Sequence, residues 1–178
     1  MTARAIVLIG PMGAGKTSVG RRVARALELP FADTDKMVVR DHGPIPELFA
    51  HHGEGHFRAL ERAAVAEALT RGGVVALGGG AVLDPSTRER LRDHRVVLLT
   101  VQPHVVGGRI GGADRPLLAG EDSVSRWNRI YEERRPVYED VADLALDTST
   151  GPMADIVTRI VAWARADAPA PASTEEES

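Results

Sequence analysis

Gly10-Pro11-Met12-Gly13-Ala14-Gly15-Lys16-Thr17, "GPMGAGKT", follows an unbroken apolar run at residues 5–9, "AIVLI". The run shows no polar alternation, as expected of a strand buried on both faces of a parallel sheet. Beyond the octapeptide, Val19, Val23, Ala24 and Leu27 recur on one helical face of residues 16–27. The octapeptide matches G-x-x-x-x-G-K-[ST] in the strand-to-helix setting that gives this pattern its meaning. Its glycines let successive N–H groups fold into an anion-binding nest, and the helix N-terminus adds partial positive charge. Gly13, Ala14, Gly15, Lys16, Thr17 and Ser18 are therefore the candidate ATP cradle. Lys16 would reach the β- and γ-phosphates, and the Thr17 hydroxyl would ligate Mg2+. A plain glycine turn would not explain the lysine: only Lys16 and Lys36 among 22 basic residues are lysines.

Strand and helix signals alternate along the rest of the chain. Strands are expected at residues 29–32, 74–77, 96–101 and 144–146. Helices are expected at 35–41, 45–51, 54–71, 85–94, 123–141 and 152–166, with Asp84 or Ser86 capping the fourth of these and Pro136 kinking or breaking the fifth. This order implies an α/β three-layer sandwich, a parallel sheet flanked by helices. Residues 1–166 read as a single domain. The acidic stretch 167–178, rich in Pro, Ala, Ser and Glu, reads as a disordered tail.

The loop implies a nucleoside triphosphate site but no particular reaction. The acid that serves magnesium in such proteins usually ends a later strand, yet "VVAL" runs into glycines and "VVLLTV" into Gln102-Pro103. Asp33 and Asp35 in "FADTDK" are the remaining candidates. Alternation along an extended segment would turn both to one side, beyond the carboxyl ends of the strands. Capping of the next helix by Asp35 is the plainer alternative. Gly78-Gly79-Gly80 after a strand would admit a ligand close to the backbone. Arg58 could serve a ligand or form a surface pair with Glu61 at i, i+3. Residues 107–122 surround Arg109 and Arg115 with glycines, suggesting a mobile lid over phosphates. His51, His52 and His56 are clustered, but Gly53 and Gly55 should interrupt any helix aligning them, so a metal site there is not expected.

A net charge of −3 and a pI near 6.1 supply no basic footprint for nucleic acid. No run of eighteen apolar residues offers a membrane span, and the opening residues lack the regions of a secretory leader. The absence of cysteine excludes disulfides, thiolate chemistry and cysteine-ligated zinc. A cytoplasmic monomer is expected.

The ordered set "GPMGAGKT", "DTD", "GEGHFRALE", "LGGGAV", "DRPLL" and "ERRPVYEDVAD" resembles the shikimate kinase family over about residues 4–165. The loop alone is common; the six motifs in this order are highly specific. The resemblance implies a P-loop fold of the nucleoside monophosphate kinase type, with five parallel strands, a substrate region at about 33–61 and the lid at about 107–122. It implies γ-phosphate transfer from ATP to the 3-hydroxyl of shikimate, with Mg2+, in aromatic amino acid synthesis. It further implies Thr17 and Asp33 on the metal, and Asp35, Lys16 and Arg115 in catalysis. Asp35, Arg58, Gly79, Gly80 and Arg134 would hold shikimate; Arg109, Arg115 and Pro152 would join the ATP site. Gly107-Gly108 stands where the family would have helix. A gluconate or nucleoside monophosphate kinase is the alternative within the class, and a non-catalytic binding relative the alternative outside it.

Overall fold

The computed structural model describes residues 4–110 and 123–166. Five strands form one parallel sheet: β1 (Ile6–Ile9), β2 (Phe31–Asp33), β3 (Val74–Ala76), β4 (Arg95–Thr100) and β5 (Leu144–Asp147). Their spatial order is β2-β3-β1-β4-β5. Ile6 is in register with Val74 on one side and Arg95 on the other. The order reverses at β1, so the loop after β1 opens at the topological switch point, where open α/β sheets bind ligands.

Seven helices are described: α1 (Lys16–Leu27), α2 (Thr34–His42), α3 (Ile45–Arg71), α4 (Pro85–Leu91), α5 (Pro103–Val106), α6 (Ser123–Val141) and α7 (Met153–Ala166). The pleat of β1 divides them into two layers. Val7 and Ile9 face one core with Val65, Phe57 and Leu91, from α3 and α4. Ile6 and Leu8 face the other with Val19 and Ile160, from α1 and α7. Helix α6 belongs to both: Tyr138 lies in the first core and Trp127 in the second, while Tyr131 packs against each. The three-layer sandwich is as expected. No described helix is long and apolar enough to cross a membrane.

The expected break between 45–51 and 54–71 is present as a kink at Gly53 (φ 81°, ψ 171°), and the two helical stretches together are α3. Other elements depart from the expectation. Helix α6 runs through Pro136 without a break. A 3₁₀ turn (Ala81–Leu83) and the short α5 were not foreseen. Asp84 is the cap of α4, its carboxylate accepting from the N–H groups of Ser86 and Thr87. At the start of the phosphate loop Gly10 has φ 137°, and a Cβ there would run into the Leu99 carbonyl, so only glycine lets β1 leave the sheet at this point.

Candidate active site

Five consecutive carbonyls of the loop after β1 are engaged by side chains. Lys16 Nζ donates to Gly10 O at 2.8 Å and Pro11 O at 3.0 Å. Trp127 Nε1 donates to Met12 O at 2.8 Å, Arg109 Nη1 to Gly13 O at 3.2 Å and Thr148 Oγ1 to Ala14 O at 2.8 Å. Arg109 also donates through Nη2 to Thr148 O at 3.1 Å. The donors come from α1, α6 and the segments after α5 and β5, so tertiary structure braces the loop from several sides. Turning its carbonyls toward side-chain donors is the condition under which its N–H groups can serve an anion.

The two acids reach the site by a route other than strand alternation. β2 ends at Asp33, which has extended backbone and caps α2: its Oδ1 accepts from Lys36 N at 3.1 Å. Its Oδ2 accepts from Thr17 Oγ1 at 2.6 Å. Thr34 is wholly buried and its hydroxyl accepts from Gly78 N at 3.1 Å, tying α2 to the glycine run after β3. Asp35 therefore lies in the first turn of α2, not on a continuing strand. Capping falls to Asp33, which leaves the Asp35 carboxylate to the cleft. Burial pushes Asp35 from 3.8 up to about 6, with Glu61 and Asp33 adding to the rise and Lys16 and Arg58 opposing it. A hydroxyl and a carboxylate oxygen held together at Thr17 and Asp33 fit magnesium, a hard cation that keeps most of its waters. Among the described residues no group of three or more candidate ligands exists.

The Arg58–Glu61 pair is no surface pair. Arg58 Nη1 donates to Glu61 Oε2 at 2.7 Å, and Glu61 is only 3% exposed. Arg58 also reaches Glu54 at 3.2 Å. Burial raises the Glu61 pKa, with Arg58 opposing the rise. Arg134 is 8% exposed, and its Nη1 lies 3.5 Å from where a Cβ on Gly79 would sit. Of the adjacent pair, Arg135 instead points to Glu139 on the surface. Gly80 packs against the Arg58 guanidinium, so a Cβ there would have to displace that side chain.

A cleft of about 1000 Å³ joins these parts. Gly13 to Ser18, Asp33, Asp35, Arg58, Gly79, Gly80, Arg109 and Arg134 all line it. Pro152 does not, although its neighbours Gly151 and Met153 do. Arg115, positions 111–122 of the expected lid and the expected tail at 167–178 lie outside the described residues. As expected, Gly53 interrupts the helix between the histidines. His52 and His56 have ring centroids 4.7 Å apart despite Gly53, on an exposed stretch of α3.

A family model described as shikimate kinase matches residues 12–165. The chain belongs to the shikimate kinase family. The shikimate kinase of Corynebacterium efficiens is 43% identical over 158 residues, covering 88% of this chain and 94% of that one. The shikimate kinase of Thermobifida fusca is 47% identical over 146 residues, covering 80% and 84%. Among solved structures, a shikimate kinase from Acinetobacter baumannii in complex with shikimate superposes with a TM-score of 0.88 at 34% identity, covering 94% of this chain and 96% of that one. A gluconokinase from Sinorhizobium meliloti matches less well, with a TM-score of 0.63 at 25% identity over 93% and 94%. As a member of the shikimate kinase family the chain is a phosphotransferase with the nucleoside monophosphate kinase type of sheet.

Sequence reasoning missed several groups that shape this site. Thr34 and Tyr138 stand inside the motifs "DTD" and "ERRPVYEDVAD" but were given no role there, and Thr148 lies in no motif; each reaches backbone far along the chain. Trp127 packs in the second core and also bonds the phosphate loop. Glu61 had a signal in the i, i+3 spacing, but its burial depends on how α3 meets the glycine turn.

Proposed function

We propose that this chain transfers the γ-phosphoryl group of ATP to the 3-hydroxyl of shikimate, giving shikimate 3-phosphate in aromatic amino acid biosynthesis. The observation that carries this reading is the single cleft in which Asp35, Arg58 and Arg134 stand opposite the Lys16-Thr17 end of the phosphate loop.

Shikimate presents one carboxylate and three hydroxyls. Arg58 and Arg134 bind the carboxylate through charge-assisted bonds, with Glu61 fixing the Arg58 fork in position. The Gly79-Gly80 backbone and Asp35 fix the hydroxyls. Asp35, when ionised, orients the 3-hydroxyl and accepts its proton, which makes that oxygen the nucleophile. Lys16 swings from its loop carbonyls onto the β- and γ-phosphates, and Arg109 sits beside the nucleotide with the 151–153 turn. Arg115, carried in the "DRPLL" motif, supplies positive charge to the phosphoryl group as it moves. Thr17 and Asp33 hold Mg2+, directly or through water. That ion supplies charge neutralisation on the phosphate oxygens. The protein works in the cytoplasm as a monomer without nucleic-acid or membrane partners.

The test is a coupled assay of ADP release with magnesium-ATP, comparing shikimate, gluconate, nucleoside monophosphates and no acceptor. Turnover with shikimate at least about a hundredfold above the others in kcat/KM supports this reading. Preference for gluconate or a nucleotide replaces it.

A further inference from the structure

One face of α6 touches both halves of the cleft. Trp127, Tyr131, Arg134 and Tyr138 are spaced four, three and four residues apart, so they form a single stripe. Trp127 is 1% exposed and donates its indole N–H to Met12 O of the phosphate loop at 2.8 Å. Tyr138 is also 1% exposed, and its phenol donates to Gly79 O of the glycine turn after β3. Tyr131 links the two. Its ring stacks on Trp127 at 5.2 Å between centroids and lies 6.4 Å from Tyr138. The stripe passes from one core to the other, around the end of the sheet.

Packing alone would not need these polar ends: a phenylalanine would fill the space of the Tyr138 ring without its hydroxyl, and the indole N–H of Trp127 adds nothing to the packing of its rings. Each polar end meets a backbone carbonyl in a segment that lines the cleft. Burial keeps the Tyr138 phenol protonated, its pKa pushed up to about 12, so it donates at all working pH values.

We infer that Trp127 and Tyr138 are positioning residues, which set the nucleotide loop and the acceptor-substrate turn against a single rigid helix. Trp127 orients the Met12 peptide and thereby the loop that cradles phosphate. Tyr138 orients the Gly79 peptide and thereby the backbone presented to the acceptor hydroxyls, beside Arg134. Neither side chain lines the cleft; Trp127 acts through backbone, and Tyr138 through the Gly79 carbonyl and the Arg134 side chain that it touches. The common helix keeps the two substrates in fixed register, which phosphoryl transfer requires because its catalysis is mostly alignment. The acceptor half of this inference rests on the proposed shikimate reading; the nucleotide half does not.

Tyr138→Phe removes one donor and keeps the ring; Trp127→Phe removes the indole N–H together with part of the ring system, so its Tm is read beside its constants. Loss of one buried hydrogen bond predicts a change of about three- to tenfold in the parameter it governs. Trp127→Phe should raise the KM for ATP and the Kd for ADP, measured calorimetrically without acceptor, while the KM for shikimate stays within about twofold. Tyr138→Phe should do the reverse. A third readout uses the fact that the chain has only two tryptophans. In a Trp163→Phe background, ADP alone should change the emission of Trp127. The inference is overturned if both variants leave the constants unchanged, if each raises both KM values equally with a lowered Tm, or if Trp127 emission ignores ADP. If the wild type binds ADP but does not turn over shikimate, the functional reading and the Tyr138 half fall together. The ADP measurements then still decide the Trp127 half.

Discussion

Asp35 and Glu61 close on Gly78 from two sides. A Cβ on that glycine would stand 2.5 Å from Asp35 Oδ1 and 2.7 Å from Glu61 Oε1. Two carboxylates are thus gathered around a position that has no side chain. Arg58 holds the second, and the first is left with a raised pKa.

That pKa sets a pH dependence. Asp35 titrates near 3.8 when unfolded and near 6 when folded, so the folded state holds its proton more tightly. Its contribution to stability is therefore present in full below about pH 4 and is lost as pH rises through about 6. In the proposed mechanism activity runs the other way, because the ionised form would be the proton acceptor. The acid limb of kcat/KM for shikimate should fall near pH 6. Asp35→Asn should lower kcat by about a hundredfold or more and abolish that limb. A pH–rate profile of the two proteins checks both, and a near-normal kcat in the variant would remove Asp35 from the chemistry.

The glycine run should respond unevenly to alanine. At Gly78 the new methyl group meets two carboxylates, and at Gly79 nothing lies nearer than Arg134 Nη1 at 3.5 Å. Neither has a positive φ, so the difference is one of space. Overpacking costs about 1–3 kcal/mol, so Gly78→Ala should lower Tm by roughly 3–10 °C. Gly79→Ala should move it by less than about 2 °C. Thermal melts of the two variants side by side decide this; equal shifts would refute it.

Gly80→Ala should act on the substrate rather than on the fold. Its methyl group would meet the Arg58 guanidinium, Nη2 being 2.6 Å away, and the tip of that side chain can yield. A displaced guanidinium should raise the shikimate KM by about tenfold, since small misplacements are costly. Arg58→Ala should cost roughly 1.5–3 kcal/mol of shikimate binding as a charge-assisted bond is lost. Initial-rate kinetics measure the first and calorimetric titration with shikimate the second, and unchanged affinity in a folded Arg58→Ala protein would return this arginine to a structural role.

Thr17 and Asp33, joined by a 2.6 Å bond, are the proposed metal-side pair. Asp33→Asn and Thr17→Val should each raise the magnesium concentration needed for half-maximal rate by about tenfold or more, with the shikimate KM within about threefold. Magnesium titrations at saturating substrates read this directly. A shift in shikimate KM instead would exchange the roles of Asp33 and Asp35.

Arg109 braces Gly13 O and Thr148 O at the rim of the ATP side. Arg109→Ala should raise the ATP KM by about three- to tenfold, the scale of one or two lost hydrogen bonds, and leave shikimate KM alone. Initial-rate kinetics in both substrates would detect the contrary pattern.

The sequence by itself determined the alternation of strands and helices and the phosphate loop. Those features are local: apolar runs, helical spacing and a motif within eight consecutive residues. The family motifs carried the pairing of Asp33 with the metal side and Asp35 with the acceptor. Tertiary structure decided how the two acids reach the cleft. Helix α2 begins one residue earlier than alternation assumed, because Thr34 is buried against Gly78 and Asp33 takes the cap. It also decided that Glu61 is buried, and that Thr148 and Trp127 brace a loop more than a hundred residues away. A hydrogen bond to a distant backbone carbonyl leaves no periodicity and no spacing in the chain. Only the closing of the sheet brings donor and acceptor together, and those bonds give the phosphate loop its shape.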